Sequence, residues 1–164
     1  MLYWQSFERV GLASLLASTR KTPSAIDQLQ KAIAVLQDLS DRDSSEILAH
    51  QLLGVALQRR ASQSAQLGNT AAADQDVQRA TGILEKLHTD HPTNLTILRD
   101  LADCYREKGN LAARRSNWRE ARTEYEKNLT LWQRWLQIGK TSTYDQRRRE
   151  IAAGLVISAN KHLN

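Results

Sequence analysis

Leu29-Gln30-Lys31-Ala32-Ile33-Ala34-Val35-Leu36-Gln37-Asp38-Leu39 decides the fold, because the pattern returns twice at one fixed offset. Val77-Gln78-Arg79-Ala80-Thr81-Gly82-Ile83-Leu84-Glu85-Lys86-Leu87 lies 48 residues later, and Tyr125-Glu126-Lys127-Asn128-Leu129-Thr130-Leu131-Trp132-Gln133-Arg134-Trp135 another 48 on. Apolar residues coincide at Leu29/Val77/Tyr125, Val35/Ile83/Leu131, Leu36/Leu84/Trp132 and Leu39/Leu87/Trp135. Offsets of 0, 6, 7 and 10 mark one face of a helix. Four residues upstream, Ala25, Ala73 and Ala121 align as well, a small residue wherever two helices approach closely.

The stretches that precede these segments are helical too. Leu98, Leu101, Ala102 and Tyr105 follow i, i+3, i+4, i+7 spacing, and Leu53, Gly54 and Leu57 repeat part of it one period earlier. Asp43-Ser44-Ser45-Glu46, Asn117-Trp118-Arg119-Glu120 and Thr143-Tyr144-Asp145-Gln146 have capping-box spacing, and Thr22-Pro23 supplies an N-cap with proline at the first helical position. Gly68-Asn69 and His91-Pro92 mark helix ends. Seven helices result, at roughly 3–19, 23–41, 44–67, 71–89, 94–115, 118–137 and 144–162, joined by connections short enough for antiparallel neighbours.

Composition agrees with an all-α chain. With seven Gly and two Pro in 164 residues, little material remains for the tight turns of a β fold. The single Cys104 excludes a disulfide scaffold, and no apolar run reaches the roughly 18 residues that span a bilayer. A cytoplasmic location and no membrane insertion are therefore expected. The chain opens inside an amphipathic helix without a signal-peptide pattern, as a segment of a longer polypeptide would.

Leu98-x-x-Leu101-Ala102-x-x-Tyr105, followed by Trp118-x-x-Ala121-x-x-x-Tyr125, resembles the helix-A and helix-B signature of the tetratricopeptide repeat. That repeat has about 34 residues, so each unit here is longer by two insertions of about seven. Gly54 to Ala73 and Ala102 to Ala121 are 19 apart, where the family has about 12, and Pro92 comes correspondingly late. Seven residues are about two turns, so each helix lengthens while its apolar face keeps its direction. Leu12, Ala13 and Leu16 before Ala25 keep the shorter spacing, which makes the first unit look shorter. The resemblance implies one domain over 1–164, a right-handed superhelical stack of helix pairs (about 3–41, 44–89 and 94–137). A capping helix at about 144–162 closes it, with Ile151, Leu155 and Val156 on its inner face and Arg147, Arg148 and Arg149 nearer its start. Units of this length also resemble the repeat arrays that follow the kinase domain in large bacterial signalling proteins, although no kinase motif occurs here.

Chemistry-bearing motifs are weak, and no catalytic, cofactor or metal site is expected. Gly139-Lys140-Thr141 resembles the end of a phosphate-binding loop, but Arg134 stands where that motif needs glycine. His88 and His91 have ligand spacing without further partners, His50 occupies a position filled by Leu98 one period on, and Cys104 reads as a buried thiol. Five of the nine aromatics lie between 105 and 135, yet Tyr125, Trp132 and Trp135 align with aliphatic residues, which favours core packing over a stacking platform. Residues 99–149 carry 13 Lys and Arg against 7 Asp and Glu, and Arg114, Arg115, Arg119 and Arg122 straddle a helix junction. A solvated face countered by Glu120, Glu124 and Glu126 is preferred to a nucleic-acid site.

The resemblance implies ligand contacts on helix A: Gln51, Val55, Gln58 and Arg59 in one unit, and Arg99, Asp103, Arg106 and Glu107 in the next. Val55 and Asp103 stand where the family's carboxylate clamp has asparagines, so that mode is not matched. A non-catalytic module binding a peptide or protein partner is expected. The alternatives are a regulatory segment of a larger signalling enzyme and a nucleic-acid binder using the basic half.

Overall fold

The computed structural model describes residues 2–138 and 142–163. These form seven helices and no strand: α1 (Leu2–Ser18), α2 (Thr22–Arg42), α3 (Ile47–Gln66), α4 (Thr70–Asp90), α5 (Leu95–Arg114), α6 (Trp118–Ile138) and α7 (Thr143–Lys161). The 48-residue period governs their ends. The even helices start at 22, 70 and 118 and stop at 42, 90 and 138, while α3, α5 and α7 start at 47, 95 and 143. The last helix thus holds the same register as α3 and α5.

Identical turns close α1, α3 and α5. Asn69 N donates to Ser64 O at 2.9 Å and Gly68 N to Ala65 O at 3.2 Å, the paired bonds of a Schellman motif. Lys21 to Leu16 and Asn117 to Ala112 repeat the longer bond at 2.9 Å, and the residues at the bend, Arg20, Gly68 and Ser116, have φ of 61°, 81° and 60°. Only Gly68 adopts this conformation without a steric cost; the other two retain it because the turn satisfies carbonyls the helix leaves open. The first unit is therefore in full register. Buried Ser6, one period before Gly54, is its small residue, and Ala13 is a second one.

Three caps differ from expectation. Asp43 accepts from Ser45 N at 2.9 Å and from its hydroxyl at 2.6 Å, forming a local turn that delays α3 to Ile47. The last helix is capped one residue earlier than Thr143: Ser142 and Asp145 form a reciprocal box. Thr22 is the first residue of α2 instead of its cap. Asn94 caps α5 by accepting from Thr96 N and Ile97 N.

Residues 1–87 and 88–164 form two compact units, divided in the last turn of α4. In the first, α1 packs on α2, α2 on α3, and α1 also touches α3; in the second, α5 packs on α6 and α6 on α7. The aligned positions are the core. Ala25, Ala73 and Ala121 are wholly buried, as are Leu29, Val77 and Tyr125 one turn later and Leu36, Leu84 and Trp132 beyond them. Each of the side chains larger than alanine contributes about 1.5–3 kcal/mol by leaving water. Ala152, Leu155, Val156 and Ala159 form the inner stripe of α7, whereas Ile151, expected there, is exposed.

Small residues let the helices of a pair approach. A Cβ added at Gly54 would lie 2.8 Å from Leu84 Cγ, and one at Gly109 would lie 2.3 Å from Tyr125 Cε1. Ala61, one period before Gly109, faces a unit with Val77 where Tyr125 stands, so the larger ring coincides with the smaller facing residue. Gly109→Ala should destabilise the chain by about 1–3 kcal/mol despite alanine's better helix propensity, because the buried Tyr125 ring cannot yield. Gly82, also helical but with open space around it, provides the opposite sign: Gly82→Ala should stabilise by about 1 kcal/mol. Urea unfolding midpoints of the two variants against the parent decide both.

Candidate functional site

The helix-A residues expected to meet a partner lie on α3 and α5, one set in each unit. On α3, Gln51, Val55, Gln58 and Arg59 are all half-buried. Arg59 is turned inward: its Nη1 donates to the Val10 carbonyl at 3.1 Å and to the Ser14 hydroxyl, fastening α3 to α1.

On α5 the four residues have separate surroundings. Arg99 is exposed and pairs with Asp100 at 3.1 Å. Asp103 receives Arg106 at 3.3 Å on its own helix and Arg148 from α7. Arg148 also lies 5.3 Å from the centre of the Trp132 ring, so its charge is shared between a carboxylate and an aromatic face. Glu107 is buried near Asn110 (3.5 Å), whose Oδ1 accepts from the Tyr125 hydroxyl at 3.0 Å. Burial, and then the Glu107 charge, push the Tyr125 phenol above its ordinary range.

Arg148 joins these residues from α7, outside the helix-A pattern. A signal existed: of Arg147, Arg148 and Arg149, only Arg148 falls four before Ala152 and seven before Leu155, on the inner stripe. Its partner Asp103 could not be found that way, since 45 residues separate them.

A second polar motif recurs with the period. Arg60 grips Asp76 through two bonds of 2.7 Å, and one period on Lys108 pairs with Glu124 at 3.5 Å. In the first pair of helices Gln28, the counterpart of Asp76, accepts from Arg9 at 3.0 Å. These contacts join the two helices of a unit and leave both acids buried.

The remaining motifs resolve individually. Gly139, Lys140 and Thr141 lie outside the described residues. Among the described residues no group of three or more His, Cys, Asp or Glu is placed to hold a metal. His50 and His91 are half-buried, and Cys104 is a buried free thiol. Tyr125 and Trp132 are core residues, with Trp135 half-buried beside Trp132. At the basic junction Arg115 pairs with Glu120 at 3.7 Å and Arg122 with Glu126 at 3.3 Å, both exposed pairs that contribute about 0–1 kcal/mol. Trp118 nearby stacks on His162 at 3.7 Å, holding the end of α7 to the start of α6. No described helix is long and apolar enough to cross a membrane. The chain matches no protein-family model and none of the curated proteins.

Removing the Asp103 carboxylate leaves two half-buried guanidinium groups without it. Asp103→Ala should cost about 1–3 kcal/mol, and amide exchange should speed up in α7 more than in α2. His88 supplies a pH prediction. Burial, then the nearby Arg134 charge, lower its pKa from the ordinary value of about 6.5. As pH falls below about 6.5 the unfolded chain therefore binds the proton first, so stability present above that value is lost through the depressed pKa. His88→Asn should flatten this part of the stability–pH curve while leaving its alkaline part unchanged in slope, as thermal melts across the range would show.

Proposed function

We propose that the chain is a degenerate, elongated tetratricopeptide-type array acting as a non-catalytic protein-interaction module. The observation that supports this most is the 48-residue period shared by helix ends, closing turns and core positions. Such arrays gain binding surface by repetition, each unit offering its first helix. Here α3 offers Gln51, Val55 and Gln58, and α5 offers Arg99 with the flank of Asp103 and Arg106.

Rigidity supports the reading. Arg59 ties α3 to α1 and Asp103 ties α5 to α7, so the presenting helices are held before a partner arrives. Binding then loses little conformational freedom on the array's side. The chemistry offered is amide and guanidinium donors around one aliphatic position, suited to the backbone carbonyls and carboxylates of an extended peptide. In this reading the module works in the cytoplasm as a scaffold or as the positioning segment of a larger signalling protein.

The test is site-directed photo-crosslinking with the intact chain. A crosslinker at Gln51 or Arg99 should capture one protein species that a crosslinker at Gln30 or Gln78, on exposed faces of α2 and α4, does not. Arg99→Glu should reduce capture from the Gln51 position at least tenfold without changing the far-ultraviolet spectrum. Equal capture from all positions would sink the assignment.

A further inference from the structure

The start of α6 and the end of α7 meet at one end of the second unit, where Trp118 stacks on His162 at 3.7 Å with the rings 9° from parallel. Residues 110–123 and 156–163 bring Arg114, Arg115, Arg119, Arg122 and Lys161 to this end, against one acid, Glu120. Glu126 reaches Arg122, but Glu124 is buried and held by Lys108 and Lys127, so it does not balance the arginines. Arg114 and Arg119 are exposed and form no ion pair among the described residues.

The earlier copies show what this turn requires. In the places of Arg114, Arg115, Arg119 and Arg122, the second copy has Gln66, Leu67, Ala71 and Asp74, and the first has Ser18, Thr19, Pro23 and Ile26. Those residues build the same closing turn and the same helix start. The fold therefore has no need of four arginines here. A surplus of one charge on a single face attracts partners of the other sign.

We infer that this end of the second unit binds single-stranded nucleic acid. Arg114 and Arg119 take phosphate oxygens through their forked N–H donors, and a base lies on the face of the His162 ring that Trp118 leaves open. His162 is exposed, whereas Trp118 is half-buried against the cluster of Ala112, Ala121, Tyr125 and Ala159. The platform is thus fixed before a base arrives. Arg115 and Arg122 hold their glutamates in exposed pairs of small worth, so both can turn to phosphate at little cost.

The stacked ring is what selects among anions. The carboxylates of an acidic peptide would satisfy the arginines but have no broad flat face to lay on it. Bases in a duplex are already stacked on one another. A single strand offers phosphates and free base faces together. This end shares no residue with the α3 and α5 sets proposed to meet a protein partner, so either assignment can fail alone.

Fluorescence anisotropy of the full chain with a labelled oligothymidylate of about 12 nucleotides tests it. At low salt, binding should saturate below about 100 μM protein and weaken steeply as salt is added. The double variant Arg114→Gln, Arg119→Gln should bind about tenfold more weakly and lower the slope of log affinity against log salt by about 1.4. His162→Ala should weaken binding about fivefold or more without changing that slope, and His162→Phe should restore it. A strand of equal length without bases should bind the parent only as well as oligothymidylate binds His162→Ala. Lys31→Gln with Arg79→Gln, at exposed cations of α2 and α4, should bind like the parent. No saturation by about 100 μM overturns the inference, as does a His162→Ala variant that binds like the parent. Oligoglutamate or the baseless strand binding as tightly as oligothymidylate overturns it too, and leaves the arginines to an acidic protein segment.

Discussion

The close approach of paired helices at small residues two turns apart is the constraint on which the rest of the structure depends. A pair of helices about 20 residues long stays in contact over more than one turn, and each crossing of backbones excludes a side chain. Gly54 and Ala61 on α3, Ala102 and Gly109 on α5, and Ser6 and Ala13 on α1 occupy these positions, and all are buried. What stands opposite can then grow. Tyr125 and Trp132 fill the second unit where the first repeat has Leu29 and Leu36, and the α5 residue touching Tyr125 has shrunk to glycine. Volume is traded across the pair, which is how a core changes its residues without changing its geometry.

Polar contacts are arranged around this packing and add specificity more than stability. Arg60–Asp76 and Lys108–Glu124 sit at equivalent places, bridging the two helices of a unit at a single height. Taking these charges from water offsets much of their attraction, so their net contribution is small. A slip of either helix by one turn would nevertheless strand a buried acid, and that penalty fixes the register. Asn128 has the same role: wholly buried, it replaces Ala32 and Ala80 of the earlier units, and its Nδ2 donates to the Ala102 carbonyl at 2.6 Å. Packing sets how near the helices lie, and these groups set where along each other they stop.

Helix identity and the core were legible in the sequence because both follow from periodicity, and three aligned copies of a pattern suppress chance matches. The errors lie where a side chain had two physical options. Asp43 could cap α3 or bind Ser45, and the local turn won, shortening the helix by three residues relative to its expected start at 44. Along α7 both Ile151 and Ala152 offered an apolar stripe with Leu155; the stripe through Ala152 also includes Ala159 and permits close approach to Trp132. The first unit seemed short because Ala13 was matched to Gly54, when a polar but equally small residue, Ser6, fills that place. Long-range ion pairs were not legible at all. Nothing in the local pattern distinguishes Asp103, which receives a guanidinium from α7, from any other acid on a helix.

That pairing changes what the helix-A positions can be expected to recognise. In a stack of this kind the same row of residues either faces a ligand or fastens one first helix to the next, depending on what the neighbouring helix carries. Arg59 and Asp103 contact neighbouring helices, and Gln51, Val55, Gln58 and Arg99 lie on the helices that those contacts hold. Of the eight positions, Arg59, Arg99, Asp103, Arg106 and Glu107 are charged, whereas Gln51, Val55 and Gln58 are not. At the basic junction of Arg114–Arg122, Arg115 and Arg122 have acidic partners of their own, Glu120 and Glu126.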